Sequence, residues 1–259
     1  MARIIAVVNQ KGGVGKTTTS VNLAAALAST KQRVLLVDLD SQGNATMGVG
    51  VNKHALERTC RDVLLTVCKP EEAIQNLDAL GFSLLPANGD MTEAEVRLRE
   101  SADGDRALQV ALQTVSPRFD YILLDCPPAL SKLTLNALVA ADSVLIPMQC
   151  EYYALEGLSM LLDTIQQIRS VVNPRLGITG LLRTMYDPRN NLAEQVSAQL
   201  TEHFGNQLFR TVIPRNVRLA EAPSHGLPCT VYDPQSTGAK AYLALAVEML
   251  WRDKKRQAA

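Results

Sequence analysis

Aromatic residues make up only 4% of this 259-residue sequence, and its charges cancel, with 26 lysines and arginines against 26 aspartates and glutamates. The shortage of rings leaves the core to Ala, Leu and Val, which suits Ala-rich helices packed on an aliphatic sheet. The neutral balance denies the chain the overall basic character of many nucleic-acid binders, so any DNA contact has to come from a local patch. The five cysteines are Cys60, Cys68, Cys126, Cys150 and Cys229. Their number is odd and they form no C-x-x-C pair, so the spacing of a metal site is missing and a disulfide framework is not expected. We read them as reduced thiols. No apolar run approaches the roughly 18 residues of a membrane span. The run from Arg3 to Val8 is too short for a signal-peptide core and leads directly into a glycine-rich loop. These exclusions point to a cytoplasmic protein. The remainder is ordinary, with 47% hydrophobic and 20% charged residues, and the length allows one large domain with a proper core.

Several short apolar runs lack polar alternation: Arg3 to Val8, Arg33 to Asp38, Phe82 to Pro86, Tyr121 to Asp125, Ser143 to Pro147 and Gly177 to Leu182. Runs of this kind are buried on both faces, as in a parallel sheet covered by helices. Helical patterns lie between many of them, at Thr17 to Ser29, Leu133 to Ala141, Ala154 to Val172, Asn191 to Phe204 and Ala239 to Arg252. The alternation predicts an α/β fold, doubly wound, with a mostly parallel sheet flanked by helices. No linker, repeat or low-complexity stretch interrupts it, so residues 1–259 are read as one domain. The segment 51–80 is the least legible and reads as a small helical excursion before the third strand.

Three stretches carry chemistry. NQKGGVGKTTT, Asn9 to Thr19, follows a predicted strand and opens a predicted helix. Its glycines let backbone N–H groups turn inward around phosphate oxygens, and the helix N-terminus adds partial positive charge. Lys16 would reach the β- and γ-phosphates of a nucleotide, and the Thr17 hydroxyl would bind Mg²⁺. The phosphate-binding residues expected are therefore Lys11, Gly12, Gly13, Val14, Gly15, Lys16, Thr17 and Thr18. The loop is unusual in two ways. Gln10 stands where the general pattern has glycine, and Lys11 is a second lysine. In VLLVDLDSQGNAT, Asp38 and Asp40 fall at the carboxyl end of the second strand, the edge at which open α/β sheets bind ligands. A carboxylate there orients an attacking water or touches the metal's surroundings. In YILLDCPP, four apolar residues end in Asp125, the pattern of an aspartate that holds Mg²⁺ directly or through a water. Pro127 and Pro128 stiffen the turn that follows, a candidate switch segment.

KGGVGKTT, DLDSQGNAT, DCPP, CEYYALEGL (Cys150 to Leu158) and IPRNVRLAEAPSHG (Ile213 to Gly226) together resemble the ParA family of chromosome- and plasmid-partitioning ATPases. That family lies in a larger group of phosphate-loop ATPases with a deviant motif, which also holds MinD and the nitrogenase iron protein. The likeness runs from Arg3 to about Leu250. It looks like the short chromosomal type, because the phosphate loop begins at once. One departure is Ser41, where the family usually has proline.

The resemblance implies a use for Lys11: in this family the extra lysine acts across a dimer interface on the partner's nucleotide. It also implies ATP and Mg²⁺ as cofactors, catalysis by Lys11, Lys16 and Asp40, and a metal site at Thr17 with Asp125 behind it. Pro214 and Asn216 fall where the family holds adenine, and His225 nearby reads as a loop histidine. The implied activity is ATP hydrolysis, weak alone and stimulated by a ParB-type centromere-binding partner. The implied ATP-bound homodimer binds DNA without sequence preference at the nucleoid. Candidate DNA contacts are Arg189, Arg218 and the tail from Arg252 to Arg256. Two other readings compete. A MinD-like membrane switch needs an amphipathic C-terminal helix, and the sequence after Trp251 offers no apolar face. A metabolic enzyme of the same superfamily, an ATP-using ligase or an iron–sulfur reductase, lacks its cysteine pair and its substrate-domain signature.

Overall fold

Aliphatic runs with no polar alternation have to be covered on both sides, and here they are. The computed structural model describes residues 2–257. Six strands run parallel: β1 (Arg3–Val7), β2 (Val34–Asp38), β4 (Phe82–Leu85), β5 (Tyr121–Asp125), β6 (Ser143–Gln149) and β7 (Gly177–Thr184). A seventh, β3 (Gln75–Leu77), adds to the edge antiparallel to β4. The order across the sheet is β3-β4-β2-β5-β1-β6-β7. Successive residues of each central strand feed opposite cores, as the period of two requires. Ile5, Val7, Leu36 and Leu123 meet helix α1 (Lys16–Ser29) and helix α12 (Thr237–Gln257) on one face. Ala6, Val8, Leu35 and Ile122 join the core on the other face. There they meet α5 (Met91–Glu100), α6 (Ala107–Val115), α7 (Lys132–Ala140), α8 (Ala154–Val171) and α9 (Asn191–Phe204).

The topology decides where a ligand can sit. From β1 the chain crosses to β2, beyond β5, and later returns through β5 to β6 on the other side of β1. A crevice therefore opens at the carboxyl end of β1, where the order reverses. Register brings the ends of three strands level there. Val7 pairs with Asp125, and Asp125 pairs with Asp38.

The segment 51–80 holds more than a helical excursion. It contains a short helical turn at Lys53–Ala55, α3 (Cys60–Leu64), α4 (Pro70–Ala73) and β3. A capping box joins Thr59 to Asp62 at the start of α3. The tail also departs from expectation. Arg252 is not a free cation of a basic patch. Its guanidinium donates to Glu248, to the carbonyls of Asn206 and Leu208, and lies 4.3 Å over the Phe209 ring. Helical spacing turns Arg252 toward the sheet, and Lys255 lies over Trp251. Among the described residues, no helix is long and apolar enough to cross a membrane.

Candidate functional site

The loop between β1 and α1 supplies the floor of the site. Gly13 and Gly15 adopt φ of 74° and 88°, a region costly for any residue with a Cβ. Gly15 is also the N-cap of α1, and no side chain caps that helix. The first-turn N–H groups are thus left for a ligand, with the positive end of the helix behind them. Thr184 fixes the loop from the side, its Oγ1 donating to the Val14 carbonyl at 2.7 Å. Lys16 is almost fully buried, and its Nζ reaches the Lys11 carbonyl at 3.0 Å. Burial lowers the pKa of this ammonium, while Asp125 pulls it back up.

These residues line a cleft of about 610 Å³. Gly12, Gly13, Gly15, Lys16, Thr17 and Thr18 form one wall. Asp40, Ser41 and Gln42 form a second, and Pro127, Pro128 and Ala129 a third. The three motifs that sequence spacing singled out therefore meet in one place. A larger hollow, about 1040 Å³, lies between α12 and the β7 edge. Arg252 and Glu248 there satisfy each other and nearby backbone groups, and none of the three chemical motifs lines it. The smaller cleft, where the motifs meet, is therefore the candidate site.

Two carboxylates at the back of the cleft are wholly buried. Asp38 accepts from the Thr46 N–H at 2.9 Å, the Thr46 hydroxyl at 2.7 Å and the Asp40 N–H at 3.1 Å. Burial pushes its carboxyl up to about 6. Its partners consume both oxygens, so Asp38 braces the loop that carries Asp40. Asp125 is different. Its Oδ1 accepts from Ser20 at 2.8 Å, but its Oδ2 is buried with no hydrogen-bond partner among the described residues. Burial, with the Asp38 charge beside it, pushes its carboxyl up to about 7. An orphaned oxygen costs about 1–3 kcal/mol. A cation, or water on a cation, satisfies it. Among the described residues no cluster of three His, Cys, Asp or Glu could cage a metal. That suits Mg²⁺, which takes one or two protein oxygens and completes its shell with phosphate and water.

Asp40 is half-buried at the cleft wall, and its Oδ1 accepts from the Gln42 N–H at 3.0 Å. Pro214 lies in an adjoining hollow with Tyr186 and Pro188. Met185 of the main cleft and Tyr186 of this hollow are consecutive, so the two adjoin. Asn216 caps helix α10 (Val217–Glu221) and donates to Thr237 Oγ1 at 2.8 Å. His225 stacks on Tyr232, with ring centres 4.7 Å apart. Lys11 stands at the rim, its ammonium paired with Glu151. Arg189 and Arg218 are surface residues that already hold acids. Arg189 pairs with Asp187, and Arg218 with Glu221 and Asp233. Ser20, Thr46, Thr184 and Glu151 escaped the sequence reading. Ser20 left a trace, one helical turn beyond Lys16 and on the same face, and Thr46 and Glu151 lie within the DLDSQGNAT and CEYYALEGL stretches without having been singled out.

Comparison with known proteins accords with this geometry. A family model described as an AAA domain matches residues 2–178. The sporulation initiation inhibitor protein Soj of Bacillus subtilis is 50% identical, with 96% of this chain and 98% of that one aligned. The chromosome partitioning protein ParA of Caulobacter vibrioides is 45% identical over 99% of this chain and 97% of its own. A solved structure of cobyrinic acid a,c-diamide synthase from Mycobacterium smegmatis, with bound ADP and magnesium, superposes with a TM-score of 0.86 at 38% identity. That match covers 98% of this chain and 96% of the other.

Proposed function

Because this chain belongs to the family of ParA- and Soj-type chromosome-partitioning ATPases, we propose that it is an ATP-driven dimerising switch that binds DNA without sequence preference. ATP sits with its phosphates on the loop and its adenine toward Pro214 and Asn216. The loop amides and Lys16 hold the β- and γ-phosphates where charge accumulates during transfer. The Thr17 hydroxyl and the Asp125 carboxylate would hold Mg²⁺, which would supply positive charge to offset that of the phosphates. Asp40 orients the attacking water by accepting one of its protons in a hydrogen bond. The water oxygen bonds to the γ-phosphorus as the bond from that phosphorus to the bridging oxygen breaks. ADP and inorganic phosphate leave, and the water's proton ends on the phosphate.

Lys11 completes the site of a second copy. The observation that carries this reading is at Gly12. Its backbone is not left-handed, and a Cβ there would meet no atom within 4 Å among the described residues. Neither conformation nor packing within one chain asks for glycine at that position. What approaches it lies outside the chain: the nucleotide in the cleft that Gly12 lines and, on this reading, a second chain closing over it. The dimer then presents Arg189 and Arg218 twice, and contacts too weak singly become useful together. They address phosphates, so they carry no sequence information. A ParB-type partner accelerates hydrolysis and releases the DNA, which places the protein at the nucleoid.

An ATP-using carboxylate ligase is the competing reading, drawn from the diamide synthase likeness. The partitioning proteins are more similar in sequence over the same span, which favours the switch. The decisive experiment measures binding to unrelated duplexes with no nucleotide, with ADP and with a non-hydrolysable ATP analogue. Binding only with the ATP analogue, equal for all sequences and falling steeply with salt, is the expected result. Binding indifferent to nucleotide, or confined to one sequence, refutes the proposal.

A further inference from the structure

The second lysine of the loop is already engaged within the single chain. Lys11 Nζ pairs with the carboxylate of Glu151, which lies 140 positions later in the sequence. Glu151 stands between the end of β6 and the start of α8, and its backbone is fixed at both ends. Its N–H donates to the Gln149 carbonyl at 3.0 Å, and its carbonyl accepts from Ala154 at 2.9 Å. The stem of Lys11 is tied to the same strand end. Its N–H donates to Asn9 Oδ1 at 2.9 Å, and Asn9 Nδ2 donates to the Pro147 carbonyl at 2.7 Å. Lys16 in turn rests on the Lys11 carbonyl. Both loop lysines thus occupy acceptors inside one chain. The Lys11 and Glu151 side chains are about half exposed, at 51% and 49%, so the pair can part without stranding a charge in the core.

We propose that Glu151 is a positioning residue for Lys11. It holds the ammonium beside its own loop in the single chain and releases it to the phosphates of a nucleotide bound in a second copy. The inference rests on the proposed crossing of Lys11 to the second chain of the dimer. Exchange of Glu151 for phosphate requires an acceptor that outbids one carboxylate, which the β- and γ-phosphates together do. ADP offers less charge in the same place, so the pair adds to the preference for dimerising on ATP. The size of the effect follows from the exposure. A half-exposed ion pair shifts an equilibrium by about threefold. A dimer releases two such pairs, so the dissociation constant carries about a tenfold penalty.

The test is Glu151→Gln, which keeps the shape of the side chain and removes its charge. Dimerisation is measured by sedimentation equilibrium with a non-hydrolysable ATP analogue, and single-chain affinity with fluorescent ADP. The variant should dimerise about tenfold more tightly at low salt with ADP affinity unchanged, and the gap should narrow at high salt as the pair is screened. The double variant Lys11→Ala/Glu151→Gln should dimerise no better than Lys11→Ala alone. Unchanged or weaker dimerisation of Glu151→Gln overturns the proposal and leaves the crossing of Lys11 standing. Dimerisation of Lys11→Ala at the wild-type level removes the crossing itself, and with it the role of Glu151.

Discussion

Replacing Asp125 with asparagine should stabilise the protein in the absence of Mg²⁺ and nucleotide. Asp125 is wholly buried, and burial together with Asp38 lifts its carboxyl from 3.8 to about 7. The folded state therefore keeps a proton that the unfolded chain releases at lower pH. Stability falls as pH rises from about 4 to 7 and levels off above it. Three pKa units correspond to about 4 kcal/mol at pH 7.5. Asparagine carries no charge to bury, and its oxygen still accepts from Ser20 where Oδ1 does now. Its amide takes the place of the orphaned Oδ2 and gives back about 1–3 kcal/mol as an unpaired donor. The net gain is about 1–3 kcal/mol, or about 5 °C in Tm for a chain of this length.

The pH dependence is the cleaner quantity, because the amide's cost does not titrate. The stability difference between variant and wild type should grow by about 2–3 kcal/mol from pH 5 to pH 7.5. Carboxylates away from the site, such as Asp62 and Glu248, titrate in both proteins and cancel, whereas Asp38, freed of the Asp125 charge, titrates lower in the variant and adds to the same trend. Thermal melts at matched ionic strength across that range supply the measurement. Adding Mg²⁺ and ATP should reverse the order, since only wild type gains a ligand for the carboxylate. A difference that stays flat with pH, or a variant less stable throughout, refutes the view that Asp125 is a buried charge held for a cation.

Other substitutions separate the steps of the cycle. Lys16→Ala should abolish ATP binding, since the phosphates lose their main cation, and isothermal titration showing near wild-type affinity contradicts the loop assignment. Asp40→Ala should bind ATP and fail to hydrolyse it, leaving a long-lived dimer on size-exclusion chromatography; normal turnover would move the role to another group. Gly12→Val should bind nucleotide but stay monomeric by light scattering, because a Cβ there meets no atom of its own chain among the described residues and the added branches stand where a second chain would close. Arg189→Glu and Arg218→Glu should weaken binding to every duplex alike, and the log–log salt slope should fall by about 0.9 for each DNA phosphate the variant no longer neutralises.

The central sheet was legible because strands covered on both faces leave a plain signature. YILLD begins and ends as β5 does, and Asn191 to Phe204 matches α9 at both ends. The cleft was legible too, because phosphate chemistry demands glycine, lysine and hydroxyl at fixed spacing. β3 was not, since Gln75, Asn76 and Leu77 form a short, mostly polar edge that buries little. α5 was missed for a related reason. Of its ten residues only Met91, Ala94 and Leu98 are buried, and its charges otherwise read as loop.

Charge was the hardest feature to read, because a sequence shows which residues are ionic and not which are already partnered. Arg252 to Arg256 looked like one basic cluster. In three dimensions Arg252 ties α12 to the turn before Phe209, and Asp253 pairs with Arg3 at the start of β1 while accepting from Tyr121. Lys11 carries the same lesson into the site. Its position in the loop announced a cation for phosphate, but nothing near it in sequence announced Glu151. The pairing arises only because β6 lies beside β1 and ends where the loop turns. A lysine meant for a second chain has to be kept somewhere while that chain is absent. A half-exposed carboxylate at the rim does so at small cost, whereas a buried one would hold the lysine too tightly to release it.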